Sequence, residues 1–314
     1  NRLPSWIPDY LKYNMFPDPR IQPDLYQEFM KNYEKSLSIL AKNYPFIDQW
    51  ELENEKDFFL FYVPGDPKDP TELHRTENDI RTNTKIMADL YYYGRRGIKA
   101  GNPNAYVVVP AASFTNYRYL EALYEEILSR INESPERANP DNYFDFVSWH
   151  PYTEESPRTN VTGNSPFALN YKMYEVMRKY GDGEKLGIIS EFGYQDTKPG
   201  LYEKASPEKA QEVKNSRWDG LDFVYNKIPR SIMQFNISYF VLDAYALIQK
   251  EAPYISSLMW FKLEEPPSFA ESREGVAGFG LFDENNSPKL AAKTYQMIAK
   301  PPVIQLEKTK IEEN

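Results

Sequence analysis

Two short stretches place carboxylates where chemistry could be done. In Trp50-Glu51-Leu52-Glu53-Asn54-Glu55, an extended backbone alternates its side chains, so Glu51, Glu53 and Glu55 start on one face. Unpaired carboxylates are costly to bury, so such a face must be solvated, paired or functional. In Gly187-Ile188-Ile189-Ser190-Glu191-Phe192-Gly193 an apolar run that reads as a buried strand ends abruptly in a carboxylate. Glu55 and Glu191 therefore both fall where a strand gives way to a loop. Two glutamates at such ends can cleave a glycosidic bond: one gives a proton to the leaving oxygen and the other attacks the anomeric carbon. Retention of configuration needs a separation of about 5–5.5 Å. Two further stretches, Phe146-Val147-Ser148-Trp149-His150-Pro151-Tyr152 and Leu258-Met259-Trp260-Phe261, also end in polar or aromatic groups. Trp260 offers a flat apolar platform for a sugar face.

Composition narrows the chemistry further. Asp and Glu number 46 against 37 Lys and Arg, a net charge of −9, which argues against nucleic acid as a partner. The absence of cysteine removes disulfides, thiolate catalysis and Cys-ligated zinc. Two histidines, His74 and His150, are too few for a multi-His metal centre. No metal and no cofactor is expected. No apolar run approaches the roughly 20 residues of a membrane span; Phe58–Val63 and Tyr106–Ala112 are strand-sized. Aromatic residues make up 15% of the chain, and with so many carboxylates they suit a protein that handles sugars.

The elements that must position these groups alternate in type. Asn1–Pro23 is Pro-rich and reads as a surface loop with no apolar leader. Pro23-Asp24 opens a helix to about Asn43, with Leu25, Phe29, Tyr33, Leu37 and Leu40 at the helical period. Strands are expected at Phe46–Asn54, Tyr106–Pro110, Phe144–His150, Leu186–Ser190 and Ile255–Phe261. Helices are expected at about Thr76–Lys99, Tyr117–Arg130, Asn170–Tyr180, Pro207–Ile228, Phe235–Glu251 and Pro288–Ile298. Strands separated by helices imply an α/β parallel sheet with right-handed crossovers. Loops after the C-terminal strand ends would then build the site, as in a (β/α) barrel.

The ordered set Trp-Glu-x-x-Asn-Glu, Ser-x-His-Pro-Tyr, Ser-Glu-Phe-Gly and Trp-Phe resembles the clan A glycoside hydrolases. The segment Gly278-Phe279-Gly280-Leu281-Phe282-Asp283…Ser287-Pro288-Lys289 is similar to that clan's closing segment, and Leu3-Pro4-Ser5-Trp6 to the loop after its third strand. The nearest resemblance is to the family 39 xylosidase-like branch, with the family 86 agarase-like branch also similar; the motifs do not separate the two. The resemblance implies a (β/α)8 TIM barrel and retaining cleavage of a β-linked glycan, an oligosaccharide or polysaccharide. It implies that Glu55 is the acid/base, starting protonated, and that Glu191 is the ionised nucleophile. It further implies that Asn54 bonds the sugar 2-hydroxyl, His150 or Tyr152 holds Glu191 or the substrate, Trp260 stacks under the sugar, and Trp6 lines the site. An extracellular or periplasmic location follows from such a substrate.

Other readings stand beside these. Glu55 and Glu191 could form rim ion pairs, His150 could be a satisfied rim histidine, and Tyr152 and Trp260 could serve packing. Glu51 and Glu53 read as paired inside the barrel. A non-catalytic carbohydrate-binding barrel would show the same motifs. Only 54 residues precede Glu55, with room for one loop and one helix. The expectation is therefore that strands four to eight of the barrel lie within residues 1–299, with the first three outside this sequence. Residues 300–314 read as a linker or the start of a β domain.

Overall fold

The computed structural model describes residues 17, 19, 22–57, 77–152, 167–194, 230–264, 278–283 and 285–299. Most of the Pro-rich start with Trp6, most of the loop Glu55–Pro70, His74, the expected helix Pro207–Ile228 and residues 300–314 lie outside them. The elements in chain order are α1 (Pro23–Asn43), β1 (Gln49–Glu51), α2 (Glu77–Gly101), β2 (Tyr106–Ser113), α3 (Tyr117–Ser129), β3 (Phe146–His150), α4 (Asn170–Lys179), β4 (Gly187–Phe192), α5 (Arg230–Glu251), β5 (Ile255–Trp260) and α6 (Leu290–Ala299). Among the described residues no helix is long and apolar enough to cross a membrane.

The chain divides into two units. The first holds α1 to α4 and all five strands, which form one parallel sheet in the order β1-β2-β3-β4-β5. The central strands β2 and β3 are buried on both faces, as in sheets covered by crossover helices; seven consecutive residues of β2 after Tyr106 are buried. The sheet is curled. Three strand spacings separate β1 from β4, about 14 Å in a flat sheet, yet Ser190 Oγ on β4 lies 2.7 Å from Glu51 Oε1 on β1. That chord across the concave side makes the architecture a half-barrel. In the second unit, Phe282 bridges Glu264 and Pro288, and Lys289 reaches the Gly278 carbonyl ahead of α6.

Two irregularities shape the sheet. Val109 pairs with Val147 and Ala112 with Trp149, so Pro110 and Ala111 together oppose Ser148. Ser148 Oγ accepts the Ala111 N–H at 2.9 Å, repairing the ladder at this bulge. On β4, Ile189 pairs with Leu258 and Phe192 with Trp260, so Ser190 and Glu191 together oppose Met259. Between these sites Trp149, fully buried, lies across Gly187; a Cβ there would stand 2.3 Å from the indole.

Helix α1 buries Tyr26, Met30, Leu37 and Ala41, while Leu25 and Leu40 are exposed. The buried face is thus rotated from the one the leucine spacing suggested. The cause lies on α2, whose Gly97 and Gly101 face α1 at backbone distance, while Gly94 lies under the Tyr33 and Leu37 side chains. Cβ atoms at Gly97 and Gly101 would sit 2.3 and 2.2 Å from the carbonyl oxygens of Glu34 and Ser38. Asp89 of α2 adds a polar clamp, accepting from Tyr26 Oη at 2.7 Å and from Arg130 and Arg137 after α3. Burial works to raise the Asp89 carboxyl, but the Arg130 charge and the three donors hold it below its ordinary value.

Gly97→Ala should therefore run against helix propensity. Alanine is favoured over glycine by about 1 kcal/mol in an open helix. Here the added methyl meets backbone, and denaturant unfolding should show a loss of about 2 kcal/mol.

Candidate active site

The sequence expects Glu51, Glu53 and Glu55 on one face of a strand to Asn54. The strand instead ends at Glu51, and Glu53 and Glu55 adopt left-handed backbone with φ of 65° and 48°. Such φ values are unfavourable for residues with a Cβ and persist only where surroundings enforce them. The three carboxylates part company as a result. Glu53 pairs with Lys56 at 3.2 Å and with Tyr33 Oη at 3.3 Å, which corrects its expected place inside the barrel. Glu51 and Glu55 reach the concave side, and Asn54 is exposed between Glu53 and Glu55.

The backbone turn that presents Glu55 is held by neighbours. Leu52 N–H bonds the Val108 carbonyl, and Glu55 N–H bonds the Ala111 carbonyl, which the β2 bulge exposes. Two residues on, the Asp57 carboxylate accepts from Ser113 N and Oγ and from Asn116 Nδ2, the last two at 2.9 and 2.8 Å. Burial raises the Asp57 carboxyl, and those donors oppose the rise.

His150 ends β3 and is fully buried. Its Nδ1 lies 2.7 Å from Glu55 Oε1, and its Nε2 lies 3.0 Å from Ser190 Oγ. Glu191 Oε2 is 3.8 Å from the same Nδ1 and accepts a 2.9 Å hydrogen bond from Tyr152 Oη. One oxygen of Glu55, one of Glu191 and a ring nitrogen of His150 all lie within 4.8 Å of one another. These three groups are also spaced as metal ligands are, but a cation would have to replace the proton in the 2.7 Å contact between His150 and Glu55. Glu191 reaches this cluster together with its neighbour Ser190 because the β4 bulge breaks the alternation that would send them to opposite faces. Trp260 ends β5 half-buried, its ring edge-on to Phe192 at 5.2 Å. Trp6 lies outside the described residues.

The electrostatics centre on the histidine. Burial pushes His150 towards the neutral form, but the hydrogen bond to Glu55 and the charges of Glu191, Glu55 and Glu51 outweigh it, holding the ring above its ordinary 6.5. Burial raises the Glu191 carboxyl above 4.5, and the His150 charge and the Tyr152 hydrogen bond only partly offset that. Burial and the Glu191 charge push the Tyr152 phenol upward, so it remains a donor.

The residues that sequence reasoning missed are Ser190, as a partner of His150, and Asp57. Ser190 adjoins a singled-out glutamate, but regular alternation turns it away. Asp57 sits in a polar stretch with no periodicity to mark it. Its partners Ser113 and Asn116 lie more than fifty residues away.

No family model matches the chain, and no curated protein matches it. Solved structures do. A glucosidase from Croceicoccus marinus matches at TM-score 0.54 and 13% identity, over 86% of this chain and 45% of its own. A family 39 glycoside hydrolase from the gut symbiont Bacteroides cellulosilyticus WH2 matches at 0.51 and 13%, over 90% and 46%. The GH39 enzyme from Xanthomonas axonopodis pv. citri matches at 0.50 and 15%, over 87% and 45%. The chain thus shares its fold with barrel glycosidases while spanning a little under half of their length.

The polar staple beneath Glu55 gives a test of how that turn is held. Asp57→Ala strands the Ser113 and Asn116 donors, and should lower the free energy of unfolding by about 2 kcal/mol in urea titrations.

Proposed function

We propose that this chain carries the active site of a retaining glycoside hydrolase acting on a β-linked glycan. The observation that supports it best is the approach of Glu55 and Glu191 to within 4.8 Å, oxygen to oxygen, around a buried histidine. An inverting pair needs about 6.5–9.5 Å to admit a water. The shared fold with family 39 enzymes supports the same reading, and in it the five strands within residues 1–299 correspond to strands four to eight of an eight-stranded barrel. The polymeric substrate implies an extracellular or periplasmic setting.

The residues divide the work. In the first step an oxygen of Glu191 bonds to the anomeric carbon as its bond to the leaving oxygen breaks, and Glu55 gives that oxygen its proton. In the second, Glu55 takes a proton from water, the water oxygen bonds to the anomeric carbon, and Glu191 is released as carboxylate. Tyr152 holds Glu191 by its hydrogen bond and keeps it aimed. Trp260 supplies a stacking surface at the β5 rim, Asn54 a polar contact beside Glu55, and Trp6 a loop contact.

Turnover of β-linked aryl glycosides and polysaccharides, with product sizing, tests the proposal. Glu191→Ala and Glu55→Gln should each lower kcat/KM by about 10³-fold. Azide should rescue a Glu55→Ala variant on substrates with good leaving groups. A fluorosugar trap should label Glu191 in the intact protein. Glycan binding without any product would overturn the proposal in favour of a binding barrel, and full activity in either variant would overturn the assignment of roles.

Acid sensitivity should follow from Glu191. A carboxyl whose value is raised loses its charge earlier as pH falls, so the acidic limb of kcat/KM should lie above 4.5. Tyr152→Phe removes a donor to the charged form, and the limb should move up by about one pH unit.

A further inference from the structure

One hydroxyl in the site takes no part in the proposed reaction. We infer that Ser190 and Glu51 are positioning residues that keep the proton of neutral His150 on Nε2, and so make the proton shared by His150 and Glu55 hard to lose. The kinetic consequence rests on the glycosidase reading; the chemical one stands apart from it.

Donor and acceptor roles follow from what each group can do. A carboxylate only accepts, so in their 2.7 Å contact the Ser190 hydroxyl donates to Glu51 Oε1. With its single hydrogen committed, Ser190 Oγ can only accept in the 3.0 Å contact with His150 Nε2, and that nitrogen carries hydrogen. Nδ1 then meets Glu55 Oε1 at 2.7 Å, a distance that calls for a proton between them. The pair holds this proton either as carboxylic acid with neutral ring, or as carboxylate with imidazolium, and titrates as a unit.

Loss of that proton is where the relay acts. A neutral ring protonated on Nε2 turns the Nδ1 lone pair onto the Glu55 carboxylate, and the two repel. Moving the ring proton to Nδ1 would relieve this. It would also set the Nε2 lone pair against Ser190 Oγ, or force the serine hydrogen away from Glu51. Either way the state without the shared proton is penalised. The titratable groups facing the ring are Glu51 and Glu55 from β1 and the turn after it, Tyr152 after β3, and Glu191 on β4. From β2 the register partner is Ser113, which carries no charge. The nearby carboxylates also favour the proton; the Glu55 carboxylate draws the ring hydrogen towards Nδ1, and the serine committed to Glu51 holds it on Nε2.

The ring itself reports the outcome. The chain has two histidines, so long-range ¹H–¹⁵N spectra of the full labelled protein contain two imidazole patterns, and His74→Gln identifies that of His150. Above the titration of the pair, the wild-type ring should show the Nε2–H form. In Ser190→Ala it should show the Nδ1–H form, with the His150 midpoint lower by about one pH unit. Ser190→Thr keeps the hydroxyl and should restore both. The alkaline limb of kcat/KM should move with the midpoint. A wild-type ring protonated on Nδ1 overturns the inference, as does a Ser190→Ala midpoint that does not move. If no glycoside is turned over while the spectra give the Nε2–H form, the relay stands and the glycosidase reading falls. A Ser190→Ala chain that fails to fold leaves the decision to the wild-type and Ser190→Thr spectra.

Discussion

His150 is fully buried, and a buried imidazole is tolerable only when both nitrogens have partners. Those partners come from β4 and from the turn after β1, so the ring ties together strands that are not neighbours in the sheet. Glu55 and Ser190 bind it directly, and Glu51 binds it through Ser190. The half-barrel curvature and the polar network require one another. A flat sheet would leave these groups about 14 Å apart, and a curled one without the histidine would gather carboxylates that repel.

The carboxylates arrive through departures from regular structure. Glu55 stands on a left-handed backbone held by the carbonyl that the β2 bulge frees, and Glu191 stands in the β4 bulge beside Ser190. At the β2 bulge the broken ladder is compensated nearby, Ser148 Oγ accepting the Ala111 N–H and Glu55 N–H taking the Ala111 carbonyl. The site is thus assembled where strand geometry fails, which is where a sheet can aim two adjacent side chains in the same direction.

Much of this was legible in advance. Strand-helix alternation pointed to a parallel α/β sheet, and the motifs ending three strands named the glutamates, His150 and Tyr152 that the structure brings together. Local pattern could not show what depends on distant partners. Alternation put Glu53 beside Glu55 because nothing in Trp50–Glu55 announces two residues with positive φ. The leucines of α1 suggested one face because the glycines that choose another lie more than fifty residues later, on α2. Ser190 was overlooked because a bulge on β4 is decided by pairing with Ile255–Trp260, far away in sequence.

The close approach of α1 and α2 has a bearing on how this chain can diverge. Where helices meet through side chains, a larger residue on one can be matched by a smaller one on the other, and sequences drift in compensating pairs. Between Gly97 and Glu34, and between Gly101 and Ser38, the contact is made to backbone oxygens. Shrinking a side chain on the far side would not move those oxygens. Drift can rewrite the outer face of α1, but at these two positions it has no partner to drift with. A pair of small residues one helical turn apart is therefore a mark that could outlast most of the sequence around it.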